Sequence, residues 1–105
     1  MAKFLLAYHG GGMPETEEES ARVMEAWGAW YQELGAAIAD PGNPTGRGAT
    51  VSAGGAISDG GGANPITSYT ILEAADFDSA VTSAKGCPIL DSGGSVEVCE
   101  VVSVM

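Results

Sequence analysis

Apolar positions fall into five groups along the chain, and their spacing assigns most elements. Lys3–His9 (KFLLAYH) is a short apolar run closed by Gly10-Gly11-Gly12. Its length and flanks predict a strand. From Val23 the period changes. Val23, Trp27, Tyr31, Leu34 and Ile38 recur every three or four residues, and Met24 and Trp30 widen the stripe. This predicts an amphipathic helix from Thr16 to Gly35, reaching as far as Ala37. Thr16 followed by Glu19 is a capping-box pair, and Glu17 and Glu18 suit the positive end of a helix dipole. Ala39–Pro65 breaks the pattern with Pro41, Pro44, Pro65 and eight glycines. Only Ala49–Ile57 reads as strand there, interrupted at Gly54-Gly55. Ile66–Ala74 (ITSYTILEA) is β-rich. Asp76 then caps a short helix with apolar positions Phe77, Ala80, Val81 and Ala84; Gly86 and Pro88 end it. Ser95–Val104 is the last strand.

The predicted order is β-α-β-β-α-β. That is the α+β, ferredoxin-like arrangement, a four-stranded antiparallel sheet with both helices on one face, in a single domain spanning residues 1–105. Alternation along the strands adds a second expectation. Phe4, Leu6 and Tyr8 share one face of the first strand, and Leu5, Ala7 and His9 the other. In the last strand Val96, Val98 and Val102 oppose Cys99 and Val101. A face left to solvent is normally polar. Here the second face is semi-apolar, which predicts a cover, and the simplest cover is another copy of the chain.

Composition narrows the partners. Four Lys plus Arg against fourteen Asp plus Glu give a formal charge of −10. Such a chain repels phosphate backbones and anionic lipid, so neither nucleic acid nor membrane is an expected partner. No apolar run approaches the roughly 18 residues of a membrane span. Phe4–Tyr8 is too short for a signal-peptide core, so the expected compartment is the cytoplasm. Cys87 and Cys99 do not form a CxxC pair and read as separate thiols.

With the elements placed, the chain resembles the YCII-related family of the dimeric α/β-barrel superfamily. The resemblance rests on KFLLAYHG, on the helix bearing Trp27, Trp30 and Leu34, on DPGNP at Asp40–Pro44 and on SDGGGANP at Ser58–Pro65. It continues through SYTILEAADFDSAV and GCPILDSGGSVEVCEV, so it covers nearly the whole chain. The resemblance implies a homodimer whose sheets pack face to face around a small-molecule cavity. It implies no single reaction, because the superfamily spans monooxygenases, isomerases, lyases and dehalogenating enzymes. Where catalysis has been proposed in the family, an Asp near the end of the first strand pairs with a His in the first helix. This chain departs from that pattern: its single His, His9, ends the strand, and Trp27 stands at the helix position. Of the Asp-Gly-Pro-Phe motif in one branch of the family, only Asp59-Gly60 is present.

The candidate chemistry therefore centres on His9. Histidine is the side chain suited to proton exchange near neutral pH, and it needs an acceptor to fix its tautomer. Asp59 and Asp40 are the candidate carboxylates. Tyr8, Ser68, Tyr69 and Trp27 are candidates for lining the substrate cavity, and Arg47 for clamping a substrate carboxylate. Each also reads as an ordinary structural residue: a strand-end His, packing hydroxyls, core Trp, solvated Arg. One His and scattered carboxylates offer no metal-ligand spacing, and Asp59-Gly60-Gly61-Gly62 lacks the Lys and helix of a phosphate loop. Two readings remain open. One is a cofactor-free, lyase- or isomerase-like enzyme using His9 as acid/base. The other is a non-catalytic binding module built on the dimer cavity.

Overall fold

The computed structural model describes residues 2–104. The elements are β1 (Ala2–His9), α1 (Glu17–Leu34), β2 (Ile38–Asp40), β3 (Ala49–Val51), β4 (Ile57–Asp59), β5 (Ile66–Ala74), α2 (Phe77–Ala84) and β6 (Ser95–Glu100). Short 3₁₀ turns at Gly35–Ala37 and Pro88–Ser92 follow the two helices. The main sheet has the order β2-β5-β1-β6 and all its pairings are antiparallel. This is the ferredoxin-like topology, with the first and third of its four strands in the centre.

Local chemistry accounts for the helices. The Glu19 amide donates to Thr16 Oγ1 at 3.1 Å, while Glu19 Oε2 accepts from the Glu15 amide at 2.9 Å. The capping box thus reaches back one residue further than the cap itself. Asp76 caps α2 by accepting from the Ser79 amide at 2.8 Å, and that hydrogen bond holds its carboxyl below the usual Asp range. One face of the sheet buries Phe4, Leu6, Tyr8 and Leu72 against Trp30, Ala80 and Ala84. Trp27 stacks edge-on against Tyr8 and Trp30, with centroids 5.3 and 5.7 Å apart.

Two expectations need correction. The second sheet strand is Ile38–Asp40, not Ala49–Ile57. Ile38 continues the apolar stripe of α1 in sequence, but Gly35, at φ +53°, turns the chain so that Ile38 pairs with Leu72 on the sheet edge. Ala49–Val51 and Ile57–Asp59 instead pair with each other in a separate hairpin. The last strand stops at Glu100, with one further ladder bond from the Val101 amide to the Lys3 carbonyl.

Buried thiol chemistry gives a test of the core. Burial pushes the Cys87 thiol from 9.0 up to about 11. Between those values the unfolded chain gives up a proton that the native chain keeps, so this group's contribution to stability falls as pH rises from about 9 to about 11. Chemical denaturation from pH 8 to pH 11 is expected to show that loss, reduced in Cys87→Ala; an identical slope in the variant would contradict it.

Candidate functional site

His9 is the last residue of β1, on the sheet face opposite the helices, and it is buried. A β-bulge puts it there. Tyr8 pairs with Ser68 but His9 with Ile66, so Thr67 is the extra residue, and its hydroxyl donates to the carbonyls of Tyr8 and Gly10 at 3.3 and 3.2 Å. The bulge tucks the ring under the chain entering β5. Nδ1 lies 3.0 Å from the Asn64 carbonyl oxygen and 3.2 Å from that of Pro65. Carbonyl oxygens only accept, so Nδ1 carries a proton and the tautomer is set by the backbone.

Nε2 faces a carboxylate, Glu97 Oε1, at 3.0 Å. Ser95 lies opposite His9 in the β1–β6 register, so Glu97 is its diagonal neighbour, within reach of a long side chain. Glu97 keeps 60% of its side chain exposed. Cys99, next along that face, points its thiol at Glu97 Oε2 at 3.5 Å. Partial burial, then the hydrogen bond and negative charge of Glu97, push this thiol above its ordinary value. The result is a row on the open sheet face: a buried His with one nitrogen pinned, a solvent-accessible carboxylate on the other, and a protonated thiol behind the carboxylate. It can hold a proton between Nε2 and Oε1 and expose the carboxylate end to a ligand.

The structure distributes the residues singled out from sequence over four places. His9 and Tyr69 lie on the open face, where Tyr69 sits across from Ala7. Tyr8, Trp27 and Ser68 lie on the helix side. Tyr8 is fully buried, its hydroxyl donating to Thr70 Oγ1 at 2.8 Å, and Thr70 donates to the Pro41 carbonyl at 3.0 Å. Burial pushes its phenol well above the usual range. Tyr8 therefore faces the core rather than the open face. Trp27 and Ser68 line a different cavity, of about 300 Å³, between α1 and the Pro41–Pro44 loop and on the other side of the sheet from His9. Arg47 and Asp59 are paired loosely across the base of the hairpin, 3.6 Å apart and both about 90% exposed. Arg47 lines a second cavity of about 570 Å³, between the hairpin and the start of β5. Asp40 caps its own turn, accepting from the Gly42 amide at 2.9 Å.

Neither Asp40 nor Asp59 is the carboxylate beside His9, because each is committed to a local contact in its own loop. Glu97 holds that place, and periodicity and spacing did not single it out. A signal for it existed: Glu97 shares the strand parity of Cys99 and Val101, the residues assigned to the open face. Thr70, buried with Tyr8, was not anticipated either. Both cysteines are free thiols. Among the described residues, no group of three or more His, Cys, Asp or Glu is placed to hold a metal ion, and no helix is long and apolar enough to cross a membrane.

No family model and no curated protein sequence matches this chain. Among solved structures it is similar to the 5-chloro-2-hydroxyhydroquinone dehydrochlorinase TftG from Burkholderia phenoliruptrix AC1100, in complex with 2,5-dihydroxybenzoquinone. The identity is 22%, the likeness covers 90% of each chain, and the TM-score is 0.50. The chain and that enzyme share a fold.

Proposed function

We propose that this is a YCII-related homodimer in which His9 and Glu97 act as one acid/base unit on a small molecule bound at the open sheet face, in a lyase- or isomerase-like proton transfer. The observation that carries the reading is the 3.0 Å contact between His9 Nε2 and Glu97 Oε1 on an otherwise uncovered face. Nδ1 keeps its proton for the backbone, so proton exchange runs through the Glu97 side of the pair. A substrate meets the exposed carboxylate. Glu97 takes a proton from it while His9 supplies the opposing hydrogen bond, and the same proton can be returned at another atom. Tyr69 offers a hydroxyl on that face, and Arg47 a cation at the neighbouring cavity.

The dimer is supported by surface area and charge. The chain exposes 7155 Å², against roughly 5,500 Å² for a folded monomer of its 10.6 kDa mass. Its radius of gyration is 15.2 Å, and its thinnest dimension 18 Å, where a compact domain of this length has a radius of about 13 Å. The surplus of about 1,700 Å² per chain matches what an obligate homodimer buries. Charge selects the face. Five Glu residues lie along α1, whereas the open face carries Leu5, Ala7, Tyr69, Ile71 and Cys99, with Lys3 opposite Glu73 and Glu97 engaged by His9. A strongly acidic chain can approach its own copy only through such a surface.

TftG's ligand, 2,5-dihydroxybenzoquinone, and related hydroxylated rings are the first probes. NMR titration identifies a ligand, and turnover is then compared in His9→Gln and Glu97→Gln. Both are expected to lose about 10²–10⁴ of the rate while binding changes only a few-fold. Unchanged turnover in Glu97→Gln would remove the carboxylate from the reaction. The burial of His9 and its anchoring through both nitrogens also suit a second reading, a binding module without chemistry. That reading predicts ligand binding with no turnover in any of the three proteins.

A further inference from the structure

Among the described residues, the hairpin β3–β4 has no extensive packing against another element of its own chain. Every residue from Ala49 to Asp59 is exposed. Val51 and Ile57 face each other across its strands and are 69% and 73% exposed. Isolated two-stranded hairpins are marginal in water, yet this one is well made. The Gly55 amide donates to the Ser52 carbonyl and the Ser52 amide to the Ala56 carbonyl, both at 2.8 Å. Thr50 Oγ1 closes the base on the Gly60 carbonyl at 2.7 Å. Gly48–Ser58 also contains no charged residue, in a chain of net charge −10. An ordered, uncharged, apolar-tipped arm needs a low-charge apolar surface to cover, and the open sheet face is that surface.

We propose that the hairpin is an arm that docks on a second copy of this chain, covering the partner's open sheet face beside its His9–Glu97 pair. This rests on the homodimer reading and adds that each site is completed by the other chain. The occupant follows from area and charge together: the surplus surface is dimer-sized, and both surfaces are nearly neutral while the rest of the molecule is acidic. The arm's base is tied to the site as well. Pro65, whose carbonyl holds His9 Nδ1, lines the same cavity as Arg47 and Gly48 at the hairpin root.

The test compares wild type with Ile57→Asp by sedimentation equilibrium, and maps contacts with a photo-cross-linking amino acid at position 57. Burying a carboxylate at each of two symmetric arms is expected to raise the dimer dissociation constant at least about 100-fold. The cross-link is expected to join two chains and to map to segments 3–9, 66–73 or 95–101. A dimer of unchanged affinity in Ile57→Asp, with cross-links confined to one chain, would overturn the arm and leave the homodimer standing. A wild-type monomer at micromolar concentration would overturn both. A thermal melt of the Ile57→Asp monomer serves as control: a substantial drop relative to dilute wild-type monomer would place Ile57 inside its own fold and also sink the arm.

Discussion

Gly42→Ala is expected to cost about 4 kcal/mol or more, enough to unfold a domain of ordinary stability. Gly42 has φ +73°, a region that costs a side chain roughly 1–2 kcal/mol by itself. Steric overlap costs more still. A Cβ at this position would sit 1.7 Å from the Tyr69 carbonyl oxygen and 2.7 Å from its carbon. That oxygen belongs to β5, a central strand, so the loop must move instead. Its retreat breaks the contacts that hold Pro41–Thr45 to β5: Thr70 to the Pro41 carbonyl, Ser68 to the Asn43 carbonyl, and the Thr45 amide to the Thr67 carbonyl. Losing the first also disturbs Tyr8, whose buried hydroxyl relies on Thr70. Gly46, with nothing within 4 Å of its would-be Cβ, is the control, and Gly46→Ala should be close to neutral. Urea denaturation of both variants is the measurement. A Gly42→Ala protein that loses no more than a small fraction of the wild-type stability would show that the loop lies off β5.

Removing the ring at position 9 is expected to have the next largest effect. In His9→Leu the carbonyls of Asn64 and Pro65 lose their donor in a part-buried setting, and each such loss costs about 1–3 kcal/mol. A total of at least about 2 kcal/mol is expected from those two losses, together with faster hydrogen exchange across residues 60–67, whose path the ring anchors. Glu97→Gln should change stability little, because that side chain is mostly exposed and the amide oxygen still offers an acceptor. This asymmetry divides the pair by task. His9 positions and Glu97 meets the ligand, so the histidine substitution should be read in both stability and rate, and the glutamate substitution in rate alone. Equal stability losses in the two variants would contradict that division.

Sequence alone determined whatever depends on neighbours along the chain. The period of the α1 stripe, the caps at Thr16 and Asp76, and the alternation of Phe4, Leu6 and Tyr8 against Leu5, Ala7 and His9 are local, and each element follows from them. They also exposed the semi-apolar second face. Pairing between distant segments was decided only by the tertiary structure. Ile38 fits the helical stripe and the edge strand equally well, and only contact with Leu72 selects the strand. Ala49–Ile57 has strand-like residues, but the β5 edge is already taken by Ile38–Asp40, so its two halves pair with each other. The partner of His9 is decided the same way. Glu97 is 88 residues away, and it reaches the ring through the antiparallel β1–β6 register and a bulge at Thr67, neither of which leaves a mark in local periodicity.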